Sequence, residues 1–316
     1  MLEKRLNENV DEYQRRLSKN KRKIGLTWKE ISTLILREFN IEMHPEFIRK
    51  EAYLDRKRSV NESEDTRILC ISDNHCPYNL PPSVIAKYEG MIDILMFNGD
   101  EQDCQSISKF SKKYRENFVD ELIAAREMIM EFIDTISPKK VVFNYGNHNE
   151  RLIKYFSDKV SDDILELMPR TNLDFLIDMG FYRHNHKNGT KEYFKPLKKV
   201  YSNIEIEYTG NWYNQIGKTV FVHPLDYKSG ILGTVEKAWT HFNQRGLNFD
   251  TIVMAHTHQV GYAKYANTHL FESGAMCKPM DYVSGRLIKP QSNGYLYLVQ
   301  DKDGNLKFKD SKIELL

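Results

Sequence analysis

The chain has 316 residues, 41% hydrophobic and 28% charged, which is ordinary for a globular protein of one large domain or of two. A net charge of only +2 gives no bulk argument for nucleic-acid binding, and no apolar run approaches the roughly 20 residues that span a bilayer. The charge is uneven, however: residues 1–60 hold 15 Lys and Arg against 10 Asp and Glu, and the remainder holds 31 against 34. The basic surplus therefore sits at the N-terminus. Met1-Leu2-Glu3-Lys4-Arg5 opens charged with no apolar core behind it, so no secretory signal is expected. Cys70, Cys76, Cys104 and Cys277 lack Cys-x-x-Cys spacing and read as buried thiols in a reducing cytoplasm.

Residues 3–18 are polar and helix-compatible, followed by the basic connector 18–23 and Gly25. Thr27-Trp28-Lys29-Glu30 has capping-box spacing, and Ile31, Leu34, Ile35 and Phe39 supply one apolar helical face that Asn40 ends. His44-Pro45 opens another helix through Phe47, Ile48, Ala52 and Tyr53 to Asp55. With Arg49, Lys50, Arg56, Lys57 and Arg58 on or after it, residues 1–58 have the outline of a helix-turn-helix. Two readings stay open: cations docking on DNA phosphates, or a small packing module for a homo-oligomer with a solvated basic face. Polar residues 59–65 read as a linker to a domain spanning 66–316.

Five short apolar runs in that domain end in metal-ligand residue types. Arg67–Ser72 leads into Asp73-Asn74-His75, and Ile92–Phe97 into Gly99-Asp100-Glu101-Gln102-Asp103. Val141–Phe143 leads into Asn144-Tyr145-Gly146-Asn147-His148-Asn149-Glu150-Arg151. Thr219–Val222 leads into His223-Pro224, and Thr251–Met254 into Ala255-His256-Thr257-His258. Strand ends of open α/β sheets are where ligands collect. Asp73, His75, Asp100, Asn147, His223, His256 and His258 thus form a seven-residue constellation of candidate ligands.

Between these runs, Pro81-Pro82 precedes a helix expected from about Ser83, and residues 116–136 have a helical apolar pattern suited to a crossover. Residues 151–179 read as helix broken near Pro169–Asn172. Residues 181–200 carry His184, His186 and a surplus of lysine without periodicity, and read as a basic surface loop rather than a third metal site. Ile204–Tyr208 alternates as a half-exposed strand, and 231–245 reads as helix. Gly294–Val299, Asp303-Gly304 and Leu306–Lys309 read as a hairpin. Parallel strands early and antiparallel strands late suit a two-sheet sandwich flanked by helices.

The five blocks resemble those of the calcineurin-like metallophosphoesterases: D-x-H, G-D-x-x-D, G-N-H-[DE], a histidine block and G-H-T-H. The N-terminal extension and the Gly-Asn-His-x-x-Arg form of the third block look most like phage-borne members related to DNA-repair nucleases. The resemblance implies an α/β/β/α layered sandwich holding two divalent metal ions, manganese foremost, with iron or zinc as alternatives. It places Asp73, His75 and His258 on one ion, Asn147, His223 and His256 on the other, and Asp100 between them. It gives His148 the work of protonating the leaving oxygen, Arg151 a substrate phosphate, and Asp103 the orienting of a histidine. The implied reaction is phosphoester hydrolysis by a bridging hydroxide, with DNA as the expected substrate and host cytoplasm as the compartment. A phosphomonoesterase and a non-catalytic DNA-binding protein are the competing readings. Three departures stand out: Asn149 where many relatives carry an acid that orients the histidine, so that either Glu150 substitutes or His148 has a lower pKa and a different role; Pro224 after His223; and Ala255 in place of glycine.

Overall fold

Thr66–Ile71 forms β1, the strand from which the larger of two units in this computed structural model is built. The structure describes residues 2–5, 8–21, 23–52, 64–109, 116–185, 188–225, 228, 230, 232–279 and 291–316. One unit comprises Met1–Ser63 with Glu89–Met91, the other Glu64–Tyr88 with Ile92–Leu316.

In the larger unit β1, β2 (Ile94–Asn98), β3 (Lys140–Asn144) and β6 (Glu205–Tyr208) run parallel. With β12 (Gly294–Gln300) and β13 (Lys312–Leu315), both antiparallel additions, they make a six-stranded sheet ordered β13-β12-β1-β2-β3-β6. The second sheet is ordered β10-β11-β9-β8-β7, from β7 (Tyr213–Ile216), β8 (Thr219–Val222), β9 (Thr251–Met254), β10 (Val260–Tyr265) and β11 (Thr268–Ser273). Side chains of β1 alternate between two cores, as strand geometry requires. Leu69 and Ile71 pack with Leu122, Ala125, Ile129 and Phe132 of α3 (Phe118–Ile136). Ile68 and Cys70 instead meet Phe221, Val253 and Phe271 of the second sheet. The far side of that sheet packs Val220, Val222, Ile252 and Met254 against Val235 and Phe242 of α4 (Gly233–Gln244). The layers are helix, sheet, sheet, helix, and burying both faces of β1, β8 and β9 explains why each reads as an unbroken apolar run.

The parallel register aligns Ile71 with Phe97, Phe97 with Phe143, and Phe143 with Tyr208, so these strands finish at one edge. Two buried asparagines stitch the sheets there. Asn144 Nδ2 donates to Asn98 Oδ1 (2.8 Å) and to Phe221 O (3.0 Å), and Asn98 Nδ2 donates to Val222 O (3.3 Å). This pins the ends of β2 and β3 beside the end of β8.

Four local expectations are corrected. The helix expected from Ser83 is two 3₁₀ turns, Pro82–Val84 and Ala86–Tyr88; Ile85 and Tyr88, three apart, both turn into the core. Residues 181–194 form a hairpin, β4 (Phe181–Asn185) with β5 (Thr190–Phe194), turned at Asn188-Gly189. Apart from Phe181 and Phe194 at its base, its described residues are exposed on both faces, which removes the alternation that would have marked it. In the tail, Leu306 makes only a single bridge to Gln300, and the strand that pairs with β12 is β13. Residues 3–18 do not form one helix: α1 is Val10–Asn20, begun by a second capping box in which Asn9 Oδ1 accepts from Glu12 N (2.9 Å).

The smaller unit is helical. α2 (Trp28–Phe39) starts at the Thr27–Glu30 box and stops at Asn40, whose φ of 56° is left-handed. Residues 45–52 are helical. Tyr13, Leu17, Ile31, Ile35 and Ile48 form the core. Tyr53, Arg56, Lys57, Arg58 and most of the expected linker lie outside the described residues.

Candidate metal centre

The loops leaving β1 and β2 run side by side. Asp73 N donates to Gly99 O (3.1 Å), His75 N to Asp100 O (2.9 Å) and Cys76 N to Glu101 O (2.9 Å). Asp73, His75, Asp100, His256 and His258 all have positive φ, between 45° and 77°. Left-handed backbone at a non-glycine residue costs on the order of 1 kcal/mol or more and marks a geometry held for its side chains.

These turns converge the seven predicted ligands into two groups. In one, His258 Nε2 lies 3.2 Å from Asp73 Oδ1 and 3.0 Å from His75 Nε2. In the other, His223 Nε2 lies 3.3 Å from Asp100 Oδ2 and 3.2 Å from Asn147 Oδ1, and His256 Nδ1 lies 2.8 Å from the same Asn147 oxygen. Asp100 Oδ2 is also 3.9 Å from His75 Nε2, so its carboxylate faces both groups. Donor atoms of Asp73, His75 and His258 lie within 4.8 Å of one another, as do those of Asp100, His223 and His256.

The donor chemistry fits divalent cations. His223 Nδ1 donates to Asn98 O (2.7 Å), which turns Nε2 toward the Asp100 and Asn147 oxygens. A nitrogen lone pair facing two oxygen acceptors needs a positive centre between them, a proton or a metal ion. Asp73 Oδ1 is buried without a hydrogen bond of its own. Burial disfavours a charged His223, yet the carboxylates of Asp100 and Asp73 raise its pKa to about 9. Burial likewise opposes ionised Asp73 and Asp100, and the imidazoles around them hold both below the usual carboxylate range. His75 and His256 are lowered to about 4, by burial first and then by a neighbouring imidazole. Such a mixture of oxygen and imidazole donors suits manganese, iron or zinc.

His148 stands beside this cluster. Its main-chain N–H donates to Asp100 Oδ1 (2.8 Å), and its Nδ1 lies 2.9 Å from Asp103 Oδ1 and 3.0 Å from Asp103 O. Arg151 donates to Asp103 O (2.6 Å) and to His148 Nε2 (2.9 Å). Asp103 Oδ1 is also 3.6 Å from His75 Nδ1. Asp103 therefore reaches both rings, whereas Glu150, the residue expected to stand in for the missing acid, pairs with Lys154 (2.6 Å).

Asn149 has a different task, which its sequence position did not reveal. Its Oδ1 accepts from Asp100 N (3.0 Å) and Gly146 N (2.7 Å), tying the second and third blocks together. Its Nδ2 donates to Glu101 Oε2 (3.0 Å) and Asn172 Oδ1 (2.9 Å). Asn98 and Asn144, at strand ends before Gly99 and Tyr145, are the other supports that sequence reasoning missed. Each ends an apolar run in a polar residue, the signal that would have found them. His184 lies on exposed β4, outside every donor group among the described residues, and His186 falls outside those residues. Arg49 and Lys50 belong to the helical unit, where Arg49 pairs with Glu46 at 3.0 Å. Among the described residues no helix is long and apolar enough to cross a membrane.

Comparison with known proteins gives a consistent family. No curated protein sequence matches the chain. Among solved structures, zinc-complexed Vps29 from Entamoeba histolytica is 13% identical, covering 79% of this chain and 98% of that one, with a TM-score of 0.39. A metallophosphoesterase from Sphaerobacter thermophilus is 14% identical over 79% of this chain and 88% of its own, also at 0.39. These scores are too low to bear on function. The model of the YonJ N-terminal domain matches residues 1–51. The model of the calcineurin-like phosphoesterases matches residues 66–260, which include every strand end that carries a donor, and the chain belongs to that family.

Proposed function

We propose that this chain is a two-metal phosphodiesterase acting on DNA in the cytoplasm, with residues 66–316 as the catalytic domain and residues 1–58 as a docking module joined by residues 59–65. The observation that carries the reading is the donor cluster: seven side chains from five strand ends, with the Asp100 carboxylate facing both groups. Asp73, His75 and His258 would hold one divalent cation, Asn147, His223 and His256 the other, and Asp100 both. Bound there, two cations supply an activated water at neutral pH and neutralise phosphate oxygens.

The remaining work falls to the rim. Asp103 holds the His148 ring through Nδ1, with Nε2 facing Arg151 and, at 4.0 Å, Asp100 Oδ2; once substrate draws Arg151 away, Nε2 would be free to take a proton and serve the leaving oxygen. Arg151 presents a planar guanidinium at the same place, suited to a phosphate that arrives beside His148. Arg49 and Lys50, with Arg56, Lys57 and Arg58, would meet backbone phosphates of the duplex. Buried Cys70, Cys76, Cys104 and Cys277 stay as free thiols, in keeping with a reducing compartment.

The test is manganese-dependent hydrolysis of bis-para-nitrophenyl phosphate, of its monoester, and of linear DNA, with EDTA, Asp100→Ala and His148→Ala alongside. Diester and DNA cleavage lost in all three controls is the expected result. Monoester turnover with DNA left intact would instead make the chain a phosphomonoesterase whose helical module serves assembly. Absence of turnover with manganese, iron or zinc would leave a metal-binding DNA protein.

A further inference from the structure

The β4–β5 hairpin takes no part in the donor cluster, yet its two faces differ in a way that packing does not require. On the inward face Phe181 and Phe194 stack at 5.0 Å with rings 7° apart; Phe181 is buried in the main core, and Arg126 lies over Phe194. Register places Tyr182 opposite Tyr193 and His184 opposite Lys191, which puts these four on the outward face. Tyr182 is 61% exposed and Tyr193 42%. Their ring centroids are 4.8 Å apart, so the two form one aromatic surface. A stretch of 20 residues, 181–200, holds five lysines and Arg183 against the single acid Glu192.

The hairpin also points toward the site. α3 leaves the donor edge after β2 and returns the chain to the start of β3, so its first turn lies at that edge and its last turn opposite. Tyr201 hydroxyl donates to Asp134 (2.8 Å) near the far end of α3, and Lys195 O accepts from Arg126 (3.2 Å) midway. Arg183 pairs with Asp120 (2.8 Å) in the first turn. The strands continue two residues beyond Arg183, about 7 Å at the usual rise, on the side where Asp73, Asp100 and Asn147 gather.

We infer that the outward face of this ribbon, Tyr182 and Tyr193 with Lys191, binds an unpaired stretch of the nucleic-acid substrate and guides it to the donor cluster. This rests on the phosphodiesterase reading above and adds a preference for single-stranded segments. An aromatic face exposed beside cations stacks on bases of any sequence, and it can do so only where bases are not already stacked within a duplex. Lys191, on the same face of the ribbon, would meet a backbone phosphate, and stacking of this kind is tolerant of sequence.

The test is binding rather than turnover. The full chain in EDTA is titrated against a fluorescein-labelled oligothymidylate of about 20 nucleotides, and against a fully paired duplex, by fluorescence anisotropy. Tyr182→Ala should weaken oligothymidylate binding about five- to tenfold and leave duplex binding unchanged, while Tyr182→Phe should retain wild-type affinity. Lys191→Glu should flatten the dependence of log affinity on log salt by about 0.7 or more. Equal binding of oligothymidylate by wild type and Tyr182→Ala would overturn the proposal, as would a loss shared equally by the duplex or no oligothymidylate binding at all. Hydrolysis of bis-para-nitrophenyl phosphate should be unchanged in these variants. A wild type that hydrolyses no diester would end the catalytic reading while the anisotropy result still decides the ribbon.

Discussion

Asp73, Asp100 and His223 in the donor cluster are at most 1% exposed, and each answers to several neighbours. Arg49 and Glu46 in the helical unit form one ion pair with side chains 53% and 66% exposed. An exposed pair is screened by water and salt and contributes roughly 0–1 kcal/mol. In the buried cluster each charge is defined by the others, so removing one leaves its partners uncompensated. A change in the cluster should therefore spread through the site, and a change in the helical unit should stay local.

The largest effect is expected at Asp100, whose carboxylate faces both donor groups and accepts from His148 N. Asp100→Ala should lower diester turnover by about a thousandfold or more, equivalent to about 4 kcal/mol or more. It should also reduce the metal retained after gel filtration, measured by elemental analysis. Full metal content in this variant would show that Asp100 is not shared between the groups.

Glycine-to-alanine changes put the same chemistry into both regions. A Cβ on Gly146 would run into the Asp100 carboxylate and approach its main-chain nitrogen to 2.8 Å. Gly146→Ala must displace the shared carboxylate, and about a hundredfold loss of turnover is expected. Gly25 has a φ of 70° and nothing within 4 Å of where a Cβ would lie. Gly25→Ala should cost only about 1 kcal/mol of backbone strain, with turnover of a small diester unchanged. Equal losses in the two variants would erase the distinction between the regions.

Asn149 grades the effect within the cluster. Asn149→Ala leaves the Asp100 and Gly146 amides without their acceptor, at about 1–3 kcal/mol for a buried group, and should reduce turnover about ten- to a hundredfold. Asn149→Asp keeps that acceptor and forfeits only the donations to Glu101 and Asn172, so it should fall between wild type and alanine. Glu101, buried and pushed up to about 8, is largely a neutral acid at pH 7 and tolerates the neighbouring carboxylate better than an ionised Glu101 would. Turnover and denaturant midpoint, measured together, give the ordering; a weaker Asp than Ala variant would contradict it.

The donor types were legible because each follows a short apolar run, and a β-strand ends where such a run meets residues that cannot be buried without partners. What those partners are was not legible. Asn149 reads as a departure from an acid until its four hydrogen bonds are seen, and Asn98 and Asn144 join two sheets that are distant in sequence. The 181–194 hairpin escaped for another reason: with Tyr182, Arg183, His184 and Lys191 all exposed, neither face supplies the period-two signal. Capping boxes lie at the opposite extreme. Their partners are three residues apart, so Thr27 and Glu30 were legible at once, and the same pattern at Asn9 and Glu12 was there to be read.

That local character sets the smallest effect. Thr27 Oγ1 accepts from Glu30 N (3.2 Å), and Glu30 Oε2 accepts from Thr27 N (2.6 Å). Thr27→Ala removes one side of this exchange and leaves an amide that water can reach, a cost of about 1 kcal/mol. Hydrogen exchange within α2 should accelerate about fivefold, the factor corresponding to that energy. Strands β1, β2 and β3 should exchange at their wild-type rates, and hydrolysis of a small diester should not change. A slowed diester reaction in Thr27→Ala would mean that the helical unit stabilises the donor cluster, and the two regions would no longer obey separate rules.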